Sequence, residues 1–401
     1  MKTSNFKTEL LAPAGDLERA YIALDYGADA IFLGGKAYSL RAHASNFEID
    51  DISKITEYAH SKNKKVYVVT NIICHNPFIK SAFEYMQQLI ACKPDGFITA
   101  DPFLVTLISK NFPDAEIHIS TQQSVCNSKA ALFWKRNNVK RIVLAREVTY
   151  DELKQLMTNL NNAIEIEVFI HGAGCISYSG RCTMSNNFSL RDANTGGCAQ
   201  SCRWKYLVEN DNINKKDKYF TMSAKDMAQI TNLEELLKLN VASFKIEGRM
   251  KSLHYVATVV NSYRKIIDNY YNNRDLEVNK NAEELSKAAN RETDTAWFYS
   301  NPDKDKMLYH EEEKKVNQNY AFIIKNKVGD YYQVITKNKI SVDDNIEIIG
   351  PELASTTKTK IIAMRNSDNI DISVCPTPMS TIYLKFDSNE EFNYPDIARL
   401  I

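Results

Sequence analysis

Residues 164–202 read IEIEVFIHGAGCISYSGRCTMSNNFSLRDANTGGCAQSC, and two patterns meet in them. The first seven residues form a β-rich run of the kind a parallel strand covered on both faces requires. Behind that run comes a glycine-rich segment holding four of the eight cysteines, Cys175, Cys182, Cys198 and Cys202, spaced C-x6-C-x15-C-x3-C. A glycine-rich loop can wrap closely around an inorganic ligand, and four thiols so near in sequence suggest a metal or a cluster. Cys74, Cys92, Cys126 and Cys375 are scattered and read as small buried residues.

Outward from this stretch the strand pattern repeats. LLAP (10–13), AIFLG (30–34), VYVVT (66–70), GFITA (96–100), IHIST (117–121), RIVLA (141–145) and SFKIEG (243–248) join it to make eight apolar runs. Amphipathic stretches separate them. Asp16 is placed to cap one helix, and Thr149 with Glu152 forms a capping box before another. The expectation is a (β/α)8 TIM-like barrel. A doubly wound sheet is the competing arrangement. The count of eight, and the lack of Gly-x-Gly-x-x-Gly after the first run, favour closure. About 70 residues separate the last two runs, so the cysteines open an excursion at the C-terminal end of strand seven, where catalytic loops gather. YFTM (219–222) and a helix over 223–240 are expected within that excursion.

Three units are therefore expected: a barrel over 1–277 with a cysteine-rich insertion at 172–242, a connector at 278–318, and a small antiparallel β-barrel domain at 319–401. A long helix over 252–271 should close the first unit. Lys plus Arg (50) balance Asp plus Glu (50), so a polyanionic partner needs a local patch. No run of 18 apolar residues occurs and MKTSNFKTEL has no apolar core, which predicts a cytoplasmic protein with no membrane partner. In that reducing compartment clustered cysteines are ligands or redox groups sooner than disulfides.

Residues just past barrel strands face the site. Arg41, Asn46, Asn71, Gln122, Arg146, Glu147 and Arg249 are thus candidate substrate-binding residues, and Glu167, His171 and Glu247 candidate catalytic ones. Asp16 and Asp101 serve equally well as helix caps. The arginines suit a carboxylate or phosphate, or else pair with Glu147 and Glu247 in an internal ring. His171 lies in His-Gly-Ala-Gly, but no Gly-x-Ser-x-Gly elbow or His-Glu-x-x-His accompanies it, so neither a serine hydrolase nor a zinc protease is supported. Arg203, Trp204 and Lys205 alternate cation and aromatic as an RNA contact can, or form an ordinary strand with one buried face. Lys215, Lys216 and Lys218 read as a solvated loop. The thiols alone leave a structural zinc and an iron-sulfur cluster both open.

The motif Glu167-x-Phe169-x-x-Gly172-Ala173-x-Cys175-x4-Gly180-x-Cys182-x-Met184-Ser185 resembles the signature of peptidase family U-32, the collagenase-like peptidases, with Gly174 in place of its usual aliphatic residue. LLAPAGD, YSLRAHASNF, SAKDM (223–227), FKIEGRMKS (244–252) and Asn290-Arg291-Glu292-Thr293 with Trp297-Phe298 extend the likeness along most of the chain, Ala296 replacing an expected glycine. The resemblance implies a 4Fe-4S cluster on Cys175, Cys182, Cys198 and Cys202. It further implies RNA hydroxylation, most like relatives that act on tRNA with prephenate as co-substrate to form 5-hydroxyuridine at the wobble position. A partner protein or electron donor is part of that expectation. A peptidase, or a non-catalytic cluster-bearing RNA-binding accessory protein, is the alternative.

Overall fold

The computed structural model describes residues 7–40, 46–208, 219–289, 291–309, 319–351 and 356–401. Eight parallel strands close a barrel: β1 (Glu9–Pro13), β2 (Ala30–Gly34), β3 (Lys65–Thr70), β4 (Gly96–Thr99), β5 (Glu116–Ile119), β6 (Arg141–Val143), β7 (Glu165–Ala173) and β8 (Ser243–Ile246). β8 pairs with β7 on one side and β1 on the other, which closes the ring of eight. Helices follow the strands: α1 (Leu17–Asp25), α2 (Ile49–Ser61), α3 (Asn76–Ala91), α4 (Pro102–Asn111), α5 (Ser128–Lys135), α6 (Tyr150–Leu160), α7 (Leu233–Lys238) and α8 (Leu253–Tyr271).

The apolar runs are explained by two cores that share each strand. In β2, Ile31 and Leu33 pack outward against the helices while Ala30 and Phe32 pack into the barrel. In β3, Val66 and Val68 face out, and Tyr67 and Val69 face in. Residues buried on both faces must be apolar at nearly every position. The local caps form as their chemistry dictates: Asp16 accepts from the Arg19 amide, Asp101 from the Phe103 amide, and Thr149 with Glu152 completes the capping box.

The insertion departs from expectation at 223–240. Instead of one helix, Asp226–Ala228 runs antiparallel to the end of β7, Ser223–Ala224 pairs with Met307–Leu308, and only α7 is helical beyond a short turn. Pairing with β7 supplies a ready-made edge that local helix propensity cannot match. The connector is also structured. Val278–Ser286 forms α9, Thr293–Asp294 adds to the same sheet edge, and Phe298 stacks on Tyr150 at 5.1 Å.

The last unit is a closed antiparallel barrel of β9 (Tyr320–Val328), β10 (Tyr331–Thr336), β11 (Asn345–Ile349), β12 (Thr357–Arg365), β13 (Thr381–Phe386) and β14 (Ile397–Leu400). It docks on the first barrel through Ile323 and Ile397, which join the larger core. Tyr26 donates to the carbonyls of Ile349 and Pro395, and the buried Arg399 pairs with Glu284 and Glu347.

Candidate functional site

A cavity of about 410 Å³ opens at the C-terminal end of the barrel strands. Its floor lies inside the barrel and is made of Phe32, Val69, Ile98, Val143, Phe169 and Lys245. Its rim comes from residues just past the strands, among them Ser39, Asn71, Gln122, Arg146, Glu247 and Arg249. Its roof is the cysteine loop.

Charge in the cavity is one-sided. Arg146, Arg203, Lys245, Arg249, Lys251 and Arg291 line it and, among the described residues, one carboxylate does, that of Glu247. Two buried carboxylates just outside offset part of this: Glu167 holds Lys245 at 2.7 Å, and Asp226 holds Lys251 and Arg291, each at 3.3 Å. Arg146 and Arg249 also contact neutral groups. Arg249 is buried and donates to the Ser39 hydroxyl at 3.2 Å and to the Asn46 carbonyl at 3.5 Å. Arg146 lies over the Phe169 ring at 3.9 Å and donates to Ser179 at 3.1 Å. Guanidinium groups held this way are preset to grip a carboxylate or phosphate.

All four loop cysteines line the cavity and none is in a disulfide. The thiols sense one another: burial raises the pKa of Cys202, and Cys175, Cys198 and Cys182 add to the rise while Arg203 opposes it. Among the described residues no three His, Cys, Asp or Glu side chains converge as one metal ion would require. The four thiols line one cavity and are soft ligands for a metal centre. The loop is seated by close backbone approaches. Gly180 has φ +78, and a Cβ there would lie 2.0 Å from the Gln122 carbonyl oxygen. A Cβ on Gly174 would meet the Lys225 carbonyl oxygen at 2.6 Å, which explains glycine at the position where an aliphatic residue was expected.

The candidates read from strand ends divide accordingly. Asn71, Gln122, Arg146, Glu247, Arg249 and Arg203 reach the cavity. Asn46 touches it through Arg249, and Trp204 and Lys205 are exposed beside it. Glu147 is buried and does not line it, its carboxyl pushed up by desolvation. Arg41, Lys215, Lys216, Lys218 and Asn290 lie outside the described residues.

Two catalytic candidates are misplaced at the mouth. Glu167 is wholly buried below the floor between Lys245 and Arg141. Burial alone would raise its pKa, but Lys245 and Arg141 outweigh it and hold the carboxyl below the usual range. His171 has left the barrel interior altogether. A register shift pairs Lys245 with Phe169 but Ile246 with His171. The bulge turns the imidazole to the side of the outward-facing Ile246, where Nδ1 lies 3.2 Å from the Tyr263 hydroxyl. Burial there, and then Lys251, lower its pKa to about 3. Lys245 was missed, although a lysine within the apolar run SFKIEG was its available signal. Lys251 and Arg291 lay in the quoted motifs without being assigned.

Residues 15–308 match peptidase family U32 and residues 317–399 match the peptidase family U32 C-terminal domain. The chain is 41% identical to tRNA hydroxylation protein P1 of Bacillus subtilis, covering 95% of this chain and 92% of that one. It is 31% identical to tRNA hydroxylation protein P of Haemophilus influenzae, covering 99% and 97%. A protein of Porphyromonas gingivalis named collagenase is 30% identical over 66% of each chain.

Proposed function

The chain belongs to peptidase family U32, and from that membership we propose that it is an RNA-hydroxylating enzyme acting on tRNA. The observation that carries this is the match, along nearly the whole length of both chains, to relatives named for tRNA hydroxylation. The cationic cavity supports it, since a neutral chain has here concentrated positive charge where a polyanion would dock. The finer reading is that wobble uridine becomes 5-hydroxyuridine with prephenate as co-substrate, in the cytoplasm. Among the described residues no helix is long and apolar enough to cross a membrane.

We assign a 4Fe-4S cluster to Cys175, Cys182, Cys198 and Cys202. Four soft thiolate donors on one glycine-rich loop, all lining the same cavity, support this assignment. When bound, such a group supplies electron transfer at the cavity roof. The chain's own residues do the rest. Arg146 and Arg249 hold carboxylate or phosphate oxygens, and Arg203, Trp204 and Lys205 contact RNA backbone and bases beside the opening.

Nucleoside mass spectrometry of tRNA from a deletion strain lacking paralogues should show loss of 5-hydroxyuridine derivatives; an unchanged profile rejects the substrate. Anaerobic analysis should find about four irons per chain, lost with tRNA hydroxylation in Cys198→Ala; stoichiometric zinc would replace the cluster assignment. Nothing in the geometry favours a peptidase, because the described cavity lining holds no histidine and one carboxylate. An accessory role would show as cluster-loaded protein that binds tRNA yet never hydroxylates it when prephenate is supplied.

A further inference from the structure

The depth of the cavity bears on the order in which two substrates can use it. Phe32, Val69, Ile98, Val143, Phe169 and Lys245 belong to the barrel or its inner wall, whereas Arg146 and Arg249 come three and four residues after Val143 and Lys245. The cavity thus has an inner tier within the strands and an outer tier at the rim. Below Lys245 the barrel is plugged by Glu167, Arg141 and Tyr67, all buried and joined by Glu9, which bonds both Arg141 and Tyr67. Entry and exit are therefore from above.

The tiers differ in chemistry. The inner one is apolar except for one ammonium, which lies 4.4 Å from the Phe32 ring centre and 5.7 Å from that of Phe169. An ammonium has three N–H donors, and Lys245 gives one to Glu167 at 2.7 Å. A small molecule with a carbon ring and a carboxylate satisfies both features, ring against the apolar wall of Val69, Ile98 and Val143 and carboxylate on Lys245. A polynucleotide does not fit within the strands. Of an RNA only an extruded base reaches the cavity, above the small molecule, with its phosphates left on the rim arginines.

Resting on the RNA-hydroxylation reading, we propose that the small acid occupies the inner tier first, on Lys245, and that the RNA nucleotide then closes the outer tier above it. Lys245 is a binding residue in this scheme, and Glu167 is a positioning residue that fixes its ammonium.

The test uses anaerobically purified full-length protein, radiolabelled prephenate and unmodified tRNA, with rapid filtration as the readout. Prephenate should bind the free protein. Saturating tRNA added afterwards should slow its release on the order of tenfold, and tRNA added first should slow its entry similarly. Lys245→Met should weaken prephenate binding by about tenfold or more while tRNA binding is kept, with Lys245→Arg recovering part of the loss. Prephenate exchange unaffected by bound tRNA overturns the ordering, and unchanged affinity in Lys245→Met overturns the subsite. Should Lys245→Met not fold, Lys245→Gln, which keeps a hydrogen bond to Glu167, takes its place as the test of the subsite, and the wild-type exchange rates decide the order. Protein that binds neither prephenate nor tRNA contradicts the functional reading itself, a result distinct from random-order binding of both.

Discussion

At the scale of single residues, Glu167 shows how position in a strand decides between chemistry and structure. Strand parity turns it inward with Phe169, yet two residues earlier in β7 places it beneath the floor, fully buried between Lys245 and Arg141. Removing one partner from a buried charge group leaves the others uncompensated, at a cost of roughly 3–5 kcal/mol. Glu167→Gln is accordingly expected to lower the urea unfolding midpoint strongly. A catalytic carboxylate would behave otherwise, losing turnover with the midpoint unchanged. His171 makes the same point differently, since a one-residue bulge removes it from the set of inward-facing residues.

At the scale of elements, the insertion is a roof held by backbone contacts more than by a core of its own. Its return strand Asp226–Ala228 borrows the end of β7, and its cysteine segment leans on the turn at Thr121–Gln123 through Gly180. A side chain at Gly180 must occupy positive φ and push against the Gln122 carbonyl. Gly180→Ala should therefore cost about 1–3 kcal/mol locally. The expected readout is faster limited proteolysis within the insertion, with the urea midpoint of the barrel little changed. Global unfolding instead would mean that the roof and barrel fold as one unit. The alternation of strand and helix around this roof was legible because it rests on local hydrophobic period. The antiparallel return strand was not, because its partner lies more than 50 residues earlier in the chain.

At the scale of the whole molecule, the small barrel is fastened to the large one by buried polar groups as well as by Ile323 and Ile397. His254 of α8 stacks on Tyr320 at 5.5 Å, and burial, then Arg399, lower its pKa to about 3. His171 is lowered to about 3 as well. Both are neutral in the folded chain, while an unfolded histidine titrates near about 6.5. Between those values the unfolded state binds more protons, so stability is fully present above about pH 6.5 and is lost as pH falls toward 3. Urea midpoints should drop between pH 7.5 and pH 5, and His254→Leu should flatten that dependence. An equally steep fall in the variant would assign the acid sensitivity to other groups.

Local sequence by itself determined the eight barrel strands, the capped helices, the small β-barrel and the four cysteines after the seventh strand. Each is written in hydrophobic period, turn chemistry or spacing within a few residues. Tertiary structure alone decided which charged groups reach solvent or substrate. A bulge turns His171 away, parity and depth bury Glu167, and closure of the sheet brings Lys245 from a strand of apolar appearance to the floor of the cavity. Register and burial depend on partners far along the chain, and the free energy of a charge depends on those partners more than on its neighbours in sequence.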